Sequence, residues 1–247
     1  MYIDVHCHLD LLEKDLDRVI ENCREGKVGI ILTNGVNSSV NIRVLEISSE
    51  YEEVKSCLGI YPNDALGMKD SDIDKEIEFI RKNKDKIIGI GEVGMDFSEE
   101  DDRERQEKIF VKFIDLAIEL NVPVTVHSRK AEEKCIEVLE EKKAKKVIMH
   151  YFSGKLKLVE RVVKNGWFLS IPTAVKSSEH FQKVIEKAPI EQLLCETDSP
   201  YSHPDKKFPN EPANVVESYK KIAEIKGLKL KEVERKIEDN FNKLFLT

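Results

Sequence analysis

The chain has 247 residues, a formal net charge of −7 and no Gly/Ser-rich or Pro-rich tract. This length is ordinary for one large α/β domain, so we predict a single domain over residues 1–247. The net negative charge excludes a general electrostatic attraction for nucleic acid, although a local patch or metal ions can override it. The apolar stretches are strand-sized, without a signal peptide or a membrane span, which predicts a cytoplasmic protein with no obligate protein partner.

Apolar runs and amphipathic stretches alternate along the whole chain. Eight apolar runs predict β-strands, at residues 2–6, 29–34, 54–60, 87–92, 122–127, 146–150, 167–171 and 192–196. Helical patterns lie between most of them, and the clearest places Ile109, Phe113, Leu116 and Leu120 on one stripe. A helix-rich tail is predicted over 213–246.

This alternation predicts a parallel sheet, because strands that are apolar on both faces need helices on both sides. Eight such strands are what a closed (β/α)₈ TIM barrel requires. An open doubly wound sheet is the main alternative, but no GxGxxG motif or P-loop opens a helix after an early strand. A barrel would place the C-terminal ends of all eight strands at one face, where barrel enzymes hold their active sites.

Six polar residues lie in or next to the ends of the predicted strands, in otherwise apolar surroundings. They are His6, His8, Glu92, His127, His150 and Asp198. Burying so many polar groups is costly unless something pairs them, and a bound metal would pair them all at once. His6 and His8 are two residues apart, so strand alternation turns both toward the same side, where they can hold one ion.

Each of these residues also has an ordinary structural interpretation. A lone His127 or His150 is more often a hydrogen-bonded core histidine, and Glu92 can be a salt-bridge partner. Asp198, in TDSP, can be a turn former or a helix cap. The convergence of all six on one face of one barrel favours a metal centre over these separate interpretations.

The five cysteines lack CxxC or CxxxC spacing. The odd number and the spacing argue against a disulfide framework and against a thiolate zinc site. Cys7 lies between two histidines, but strand alternation predicts that its thiol points away from them.

Several segments resemble, in order, the motifs of the TatD-related metal-dependent hydrolases. These segments are DVHCHLD, GEVGMDF, VTVHSRKA, HYFSG and ETDSPY, followed by NEP at 210–212 and NFNKLF at 240–245. The resemblance covers essentially the whole chain. It implies an amidohydrolase-like TIM barrel, up to two divalent ions and a deoxyribonuclease activity, of which exonuclease action is one form.

The same resemblance divides the candidate ligands between two ions. His6, His8 and Asp198 match the ligands of the first ion, His127 and His150 those of the second, and Glu92 matches the bridge between them. Mixed histidine and carboxylate ligands suit Zn²⁺ or Mn²⁺, whereas Mg²⁺ usually takes more oxygen ligands, and the sequence does not choose among them. Asp198 is expected to orient the attacking water and accept its proton. Asp198 and the bridging Glu92 are the two candidate catalytic residues.

Three further residues are candidate substrate contacts: Arg129, Ser153 and His203. Arg129 follows His127 by two residues, and its planar guanidinium suits a phosphate. Ser153 ends the sixth strand segment, and His203 lies in the loop after the eighth. Each of the three has a surface role as its alternative.

Two loops carry further matches or departures. Asn210 and Glu211, from NEP, are expected to shape the loop after the eighth strand. Tyr61 and Asn63 stand where members of the family commonly carry the histidines of a GxHPH segment. Metal binding should survive this departure, but it puts substrate contacts from that loop in doubt.

The leading hypothesis is therefore a metal-dependent phosphodiesterase that acts on DNA. Because the barrel and the ligand set do not decide which bond is cleaved, the alternative is an amide, ester or lactone hydrolase, or a deacylase of aminoacyl-nucleic acid. The third hypothesis is a scaffold protein with a structural metal site, which the complete ligand set disfavours.

Overall fold

The computed structural model describes residues 1–98 and 102–246, apart from the side chains of residues 13 and 14. Eight parallel strands form one sheet in which each strand pairs with the next along the chain. They are β1 (Tyr2–Cys7), β2 (Val28–Asn34), β3 (Val54–Leu58), β4 (Ile87–Gly94), β5 (Val124–His127), β6 (Val147–Met149), β7 (Phe168–Pro172) and β8 (Leu193–Glu196). All eight predicted strands are present, with ends displaced by at most two residues, and the predicted TIM barrel is confirmed.

Helices alternate with these strands in the described part of the chain. They are α1 (Leu16–Glu25), α2 (Ser38–Glu50), α3 (Pro62–Leu66), α4 (Asp70–Lys82), α5 (Arg103–Leu120), α6 (Glu132–Glu141), α7 (Leu156–Lys164), α8 (Glu179–Lys187), α9 (Val216–Lys226) and α10 (Leu230–Phe245). The last two form the predicted helix-rich tail. Among the described residues, no helix combines the length and the apolar character that crossing a bilayer requires.

Helix α5 shows how local sequence sets these elements. The Asp102 side chain accepts a hydrogen bond from the N–H of Arg105 at 3.0 Å and so caps the first turn. The helix ends at Asn121, which adopts a left-handed φ of 56°. The predicted apolar stripe packs against the barrel, with Ile109, Phe113 and Leu116 buried and Leu120 half-buried.

Strands β8 and β1 meet through the residues at their C-terminal ends. The N–H of Asp198 donates to the carbonyl of His6 at 3.0 Å, and the N–H of His8 donates to the carbonyl of Ser199 at 2.8 Å. These two hydrogen bonds join the first and last strands of the barrel. They also fix the backbone of Asp198 beside the two histidines.

Gly94, at the end of β4, allows a close approach to β5. Its φ is 148°, a conformation that side-chain-bearing residues rarely adopt. A Cβ atom at this position would lie 1.9 Å from the carbonyl oxygen of His127. The position therefore demands glycine, and it brings β4 and β5 together where both carry predicted site residues.

The five cysteines are buried free thiols, as their spacing predicts. The thiol of Cys7 contacts the carbonyl oxygen of Leu32 in β2, at 3.4 Å. It therefore points away from the side of β1 that carries His6, as strand alternation predicts.

Candidate metal centre

The structure brings the six predicted ligands together at the C-terminal ends of the strands. Each lies in β1, β4 or β5, or within two residues after β1, β6 or β8. Three groups have their ligand atoms within 4.8 Å of one another: His6 with His8 and Asp198 (the first group), Glu92 with His127 and His150 (the second group), and His6 with His150 and Glu196. The first two contain all six predicted ligands. These are the two sets that the sequence predicts, and their roles as ligands stay predictions.

In the first group the ligand atoms lie close to one another, and one oxygen of Glu92 lies near the two histidines. The Nε2 atoms of His6 and His8 lie 3.3 Å apart, and Oε2 of Glu92 lies 3.5 and 3.4 Å from them. Oδ1 of Asp198 lies 3.6 and 3.7 Å from the same two nitrogens. Donors bound tetrahedrally to an ion at ~2.0–2.1 Å would lie about 3.4 Å from one another. The distances among the ligand atoms of His6, His8 and Asp198 therefore fit one divalent ion.

The two histidines of the second group lie near the other oxygen of Glu92. Oε1 lies 2.7 Å from Nδ1 of His127 and 3.4 Å from Nε2 of His150. Since Oε2 lies near His6 and His8, the two oxygens of Glu92 face different pairs of histidines. The carboxylate of Glu92 therefore contacts both pairs of histidines.

Most of the histidine rings are oriented by contacts on the side away from these groups. The contacts are His8 Nδ1 with the Asn34 carbonyl at 3.3 Å, His150 Nδ1 with Glu196 at 3.1 Å, and His127 Nε2 with Asp96 at 3.0 Å. Nδ1 of His6 has no hydrogen-bond partner among the residues that the structure describes. An acceptor on the outer nitrogen places a proton there and leaves the inner nitrogen free to bind an ion.

The charges at the site favour bound cations. Burial raises the pKa of Asp198 to about 6 and lowers that of His6 to about 4. Burial would also raise the pKa of Glu92, but the neighbouring His150 and other histidines hold it well below its ordinary value. Burial would lower the pKa of His150, yet Glu196 and Glu92 raise it well above the ordinary value. The buried carboxylates thus require positive charge nearby, which divalent ions can supply.

The loop after β8 holds Asp198 in an uncommon backbone conformation. Its φ of 54° lies in the left-handed region, which few residues other than glycine adopt and which recurs at functional sites. The buried side chain of Asn210 donates to the carbonyl of Thr197 at 3.0 Å, and its backbone N–H donates to the carbonyl of Pro200 at 2.8 Å. Asn210 therefore shapes this loop, as predicted.

A cavity of about 580 Å³ opens above the predicted ligands, and Arg129, Tyr61 and Tyr201 contribute to its wall. This volume is within the ordinary range for small-ligand sites. Arg129 is exposed and forms no ion pair with any residue that the structure describes. Its guanidinium is therefore available to an anionic group in the cavity.

The other two candidate substrate contacts engage their own surroundings. The hydroxyl of Ser153 donates to Glu132 at 3.0 Å, and Nδ1 of His203 accepts the N–H of Asp205 at 3.0 Å. Neither is among the described residues that line the cavity. Their contact with substrate stays a prediction.

Two acids that contact the histidines were absent from the predicted site. Asp96 lies in GEVGMDF and Glu196 in ETDSPY, and their exposed fractions are 1% and 0%. The signal that identified Glu92, an acid near the C-terminal end of an apolar strand, applies to both. Tyr61 also reaches the site, because its hydroxyl donates to Asp96 at 2.9 Å.

Known proteins resemble this chain over nearly its whole length. Residues 3–246 match the family model of the TatD related DNases. The chain is 35% identical to deoxyribonuclease TATDN3 of Homo sapiens, over 98% of this chain and 94% of that protein. It is 38% identical to an uncharacterized metal-dependent hydrolase of Methanocaldococcus jannaschii, over 99% and 96% of the two chains.

Solved structures show the same fold. YJJV, a TatD homolog from Escherichia coli K12, superposes with a TM-score of 0.94 and 25% identity, covering 100% of this chain and 98% of that chain. A phosphotriesterase homology protein from Escherichia coli, complexed with phosphate in its active site, has a TM-score of 0.73 and 15% identity, over 99% and 98% of the two chains. The second likeness concerns the fold alone.

Proposed function

The chain belongs to the TatD-related DNase family, and we propose that it hydrolyses phosphodiester bonds of DNA at two divalent ions held in the mouth of its barrel. As a member of this family it is a metal-dependent hydrolase that acts on ester bonds. One observation carries the proposal. Glu92 has one oxygen 3.4 Å from His8 and the other 2.7 Å from His127, so a single carboxylate serves both ligand groups.

The proposed ligand assignment follows the two groups. His6, His8 and Asp198 would hold the first ion, His127 and His150 would hold the second, and Glu92 would serve both. Because four of the six ligands are imidazoles, Zn²⁺ and Mn²⁺ suit the site better than Mg²⁺.

Divalent ions bound at such a site acidify water and neutralise charge on phosphoryl oxygens. Asp198 orients the attacking water through its carboxylate and accepts the proton that this water releases. Arg129 donates from its planar guanidinium to the phosphoryl oxygens of the substrate.

A metal and substrate panel tests this function. The protein is stripped of metal with a chelator, refilled with Zn²⁺, Mn²⁺ or Mg²⁺ in turn, and assayed on single-stranded DNA, duplex DNA and a small phosphodiester. We expect phosphodiester cleavage only in refilled samples that hold two ions per chain. Cleavage of lactones, amides or carboxylic esters without cleavage of any phosphodiester would favour the alternative hydrolase. Two bound ions with no hydrolysis of any substrate would favour the scaffold.

A further inference from the structure

Asp96, which lies two residues after the end of β4 and is buried, is not among the six proposed ligands but contacts one of them. Its Oδ2 lies 3.0 Å from Nε2 of His127 and accepts the hydroxyl of Tyr61 at 2.9 Å. Its Oδ1 accepts the N–H of Ser98 at 2.8 Å. Both oxygens of the carboxylate are therefore engaged, and one of them faces a predicted metal ligand.

The backbone of Asp96 is held as firmly as its side chain. The buried amide of Gln106, in α5, accepts the Asp96 N–H at 2.7 Å and donates to the Asp96 carbonyl at 2.9 Å. The residues on either side of Asp96 donate their N–H groups to the carbonyls of His127 and Arg129, at 3.0 and 2.9 Å. These hydrogen bonds fix the position of Asp96 beside the ring of His127.

Both ring nitrogens of His127 face a carboxylate: Nε2 lies 3.0 Å from Asp96, and Nδ1 lies 2.7 Å from Oε1 of Glu92. A neutral imidazole has one N–H and one lone pair, and a carboxylate can only accept. An ion bound at Nδ1 would take the place of a proton there, and Asp96 would accept the one remaining N–H, on Nε2. His150 has the opposite arrangement, since its Nδ1 faces Glu196 and its Nε2 faces Glu92.

We propose that Asp96 is a positioning residue that holds His127 with Nδ1 presented to the second ion, and that Tyr61 braces Asp96 from the loop after β3. The inference rests on the two-ion site of the proposed function. It also gives Tyr61 a role of its own, because its hydroxyl helps to hold the acid that orients a metal ligand.

Asp96→Asn tests the proposal because it preserves shape but replaces one acceptor by a donor. If the remaining oxygen keeps the Ser98 N–H, the new amide N–H faces the Tyr61 hydroxyl and Nε2 of His127. If the amide turns over, its N–H faces the N–H of Ser98. The first arrangement removes the acceptor from His127, and the second keeps a weaker, neutral acceptor there and loses the hydrogen bond from Ser98. Loss of such an outer contact typically weakens metal binding ~10- to 100-fold.

The measurement is equilibrium Mn²⁺ binding to metal-free protein. We expect Asp96→Asn to weaken the second ion ~10- to 100-fold and to leave the first unchanged. Tyr61→Phe, which removes one donor to Asp96, should weaken the second ion less. Asp64→Asn is the matched control: it removes a carboxylate from the wall of the same cavity, where Asp64 accepts from Asn37 at 2.9 Å. It should leave both affinities unchanged.

Nitrogen-15 NMR of the imidazoles in Zn²⁺-loaded protein gives a readout that a general loss of stability would not reproduce. The wild type should show His127 with a protonated Nε2 and a metal-shifted Nδ1, and Asp96→Asn should lose this pattern at His127 while His8 keeps its own. The proposal is overturned if Asp96→Asn binds both ions as tightly as the wild type, weakens both equally, or leaves the His127 spectrum unchanged. A wild type that binds two ions but cleaves no DNA would overturn the proposed function alone.

Discussion

The two ligand groups at the mouth of the barrel are held by different kinds of contact. In the first group the backbone does most of the positioning. His6 and His8 lie two residues apart at the end of one strand, and the N–H of Asp198 donates to the His6 carbonyl at 3.0 Å. The outer nitrogen of His8 faces the backbone carbonyl of Asn34 at 3.3 Å.

In the second group, side-chain carboxylates position the histidine rings. His127 and His150 come from the ends of different strands, and their outer nitrogens face the buried acids Asp96 and Glu196. Glu196 is itself held by the hydroxyl of Ser170, at 2.6 Å. The ring orientation of His127 and His150 should therefore depend on acids that do not bind the second ion, whereas the ring of His8 faces a backbone carbonyl.

The largest effect is expected at the residue that both groups share. Glu92→Gln removes the anionic bridge and leaves four histidines around a neutral amide. We expect both ions to bind far more weakly and DNA cleavage to fall to background. Metal titration and DNA cleavage assays check this. A variant that keeps one ion at wild-type affinity would show that Glu92 serves only one group.

The next effect separates binding from chemistry within the first group. Asp198→Asn removes the proposed proton acceptor, and a general base contributes on the order of 10²- to 10⁴-fold to rate. The turnover number should fall by that amount even at metal concentrations that fill both sites. Arg129→Ala is the contrasting variant, since loss of a phosphate contact should raise KM more than it lowers kcat. Turnover of Asp198→Asn near the wild-type rate, with both ions bound, would refute the base assignment.

A smaller effect tests the second group directly. Glu196→Gln takes the carboxylate acceptor from Nδ1 of His150, so the second ion should bind ~10- to 100-fold more weakly. The first ion should be unaffected. Glu196 also lies with His6 and His150 in a third set of potential ligand atoms. Weakening of the first ion in this variant would therefore indicate that Glu196 binds metal itself, and the contrast between the groups would fail.

The smallest effect on metal binding is expected from a change at Cys7, which lies between the two histidines of the first group. Cys7→Ser should leave metal content unchanged, because the thiol faces the carbonyl of Leu32 at 3.4 Å and a hydroxyl can keep that hydrogen bond. Metal analysis of the purified variant, with circular dichroism as a folding control, checks this. Loss of metal from a folded variant would contradict the strand register of β1.

Much of the fold was predictable from the sequence because burial of strands and helices leaves a local, periodic pattern. The apolar run that ends at His127 and the stripe of α5 both follow from residues close in sequence. The spacing of His6 and His8 predicts a shared side for the same reason. The six candidate ligands followed from polar residues at the ends of apolar strands, a pattern that needs no knowledge of neighbouring strands.

Only the tertiary structure decided which groups surround those ligands. Asp96 meets Tyr61 and His127 because the loops after β3 and β4 meet the end of β5 at the mouth of the barrel. Arg129 reaches the cavity, whereas the Ser153 hydroxyl turns to Glu132. Such pairings join residues 21 to 35 positions apart, and the path of the intervening segments sets them. Local sequence therefore determines what lies at each strand end, and barrel closure determines what those ends contact.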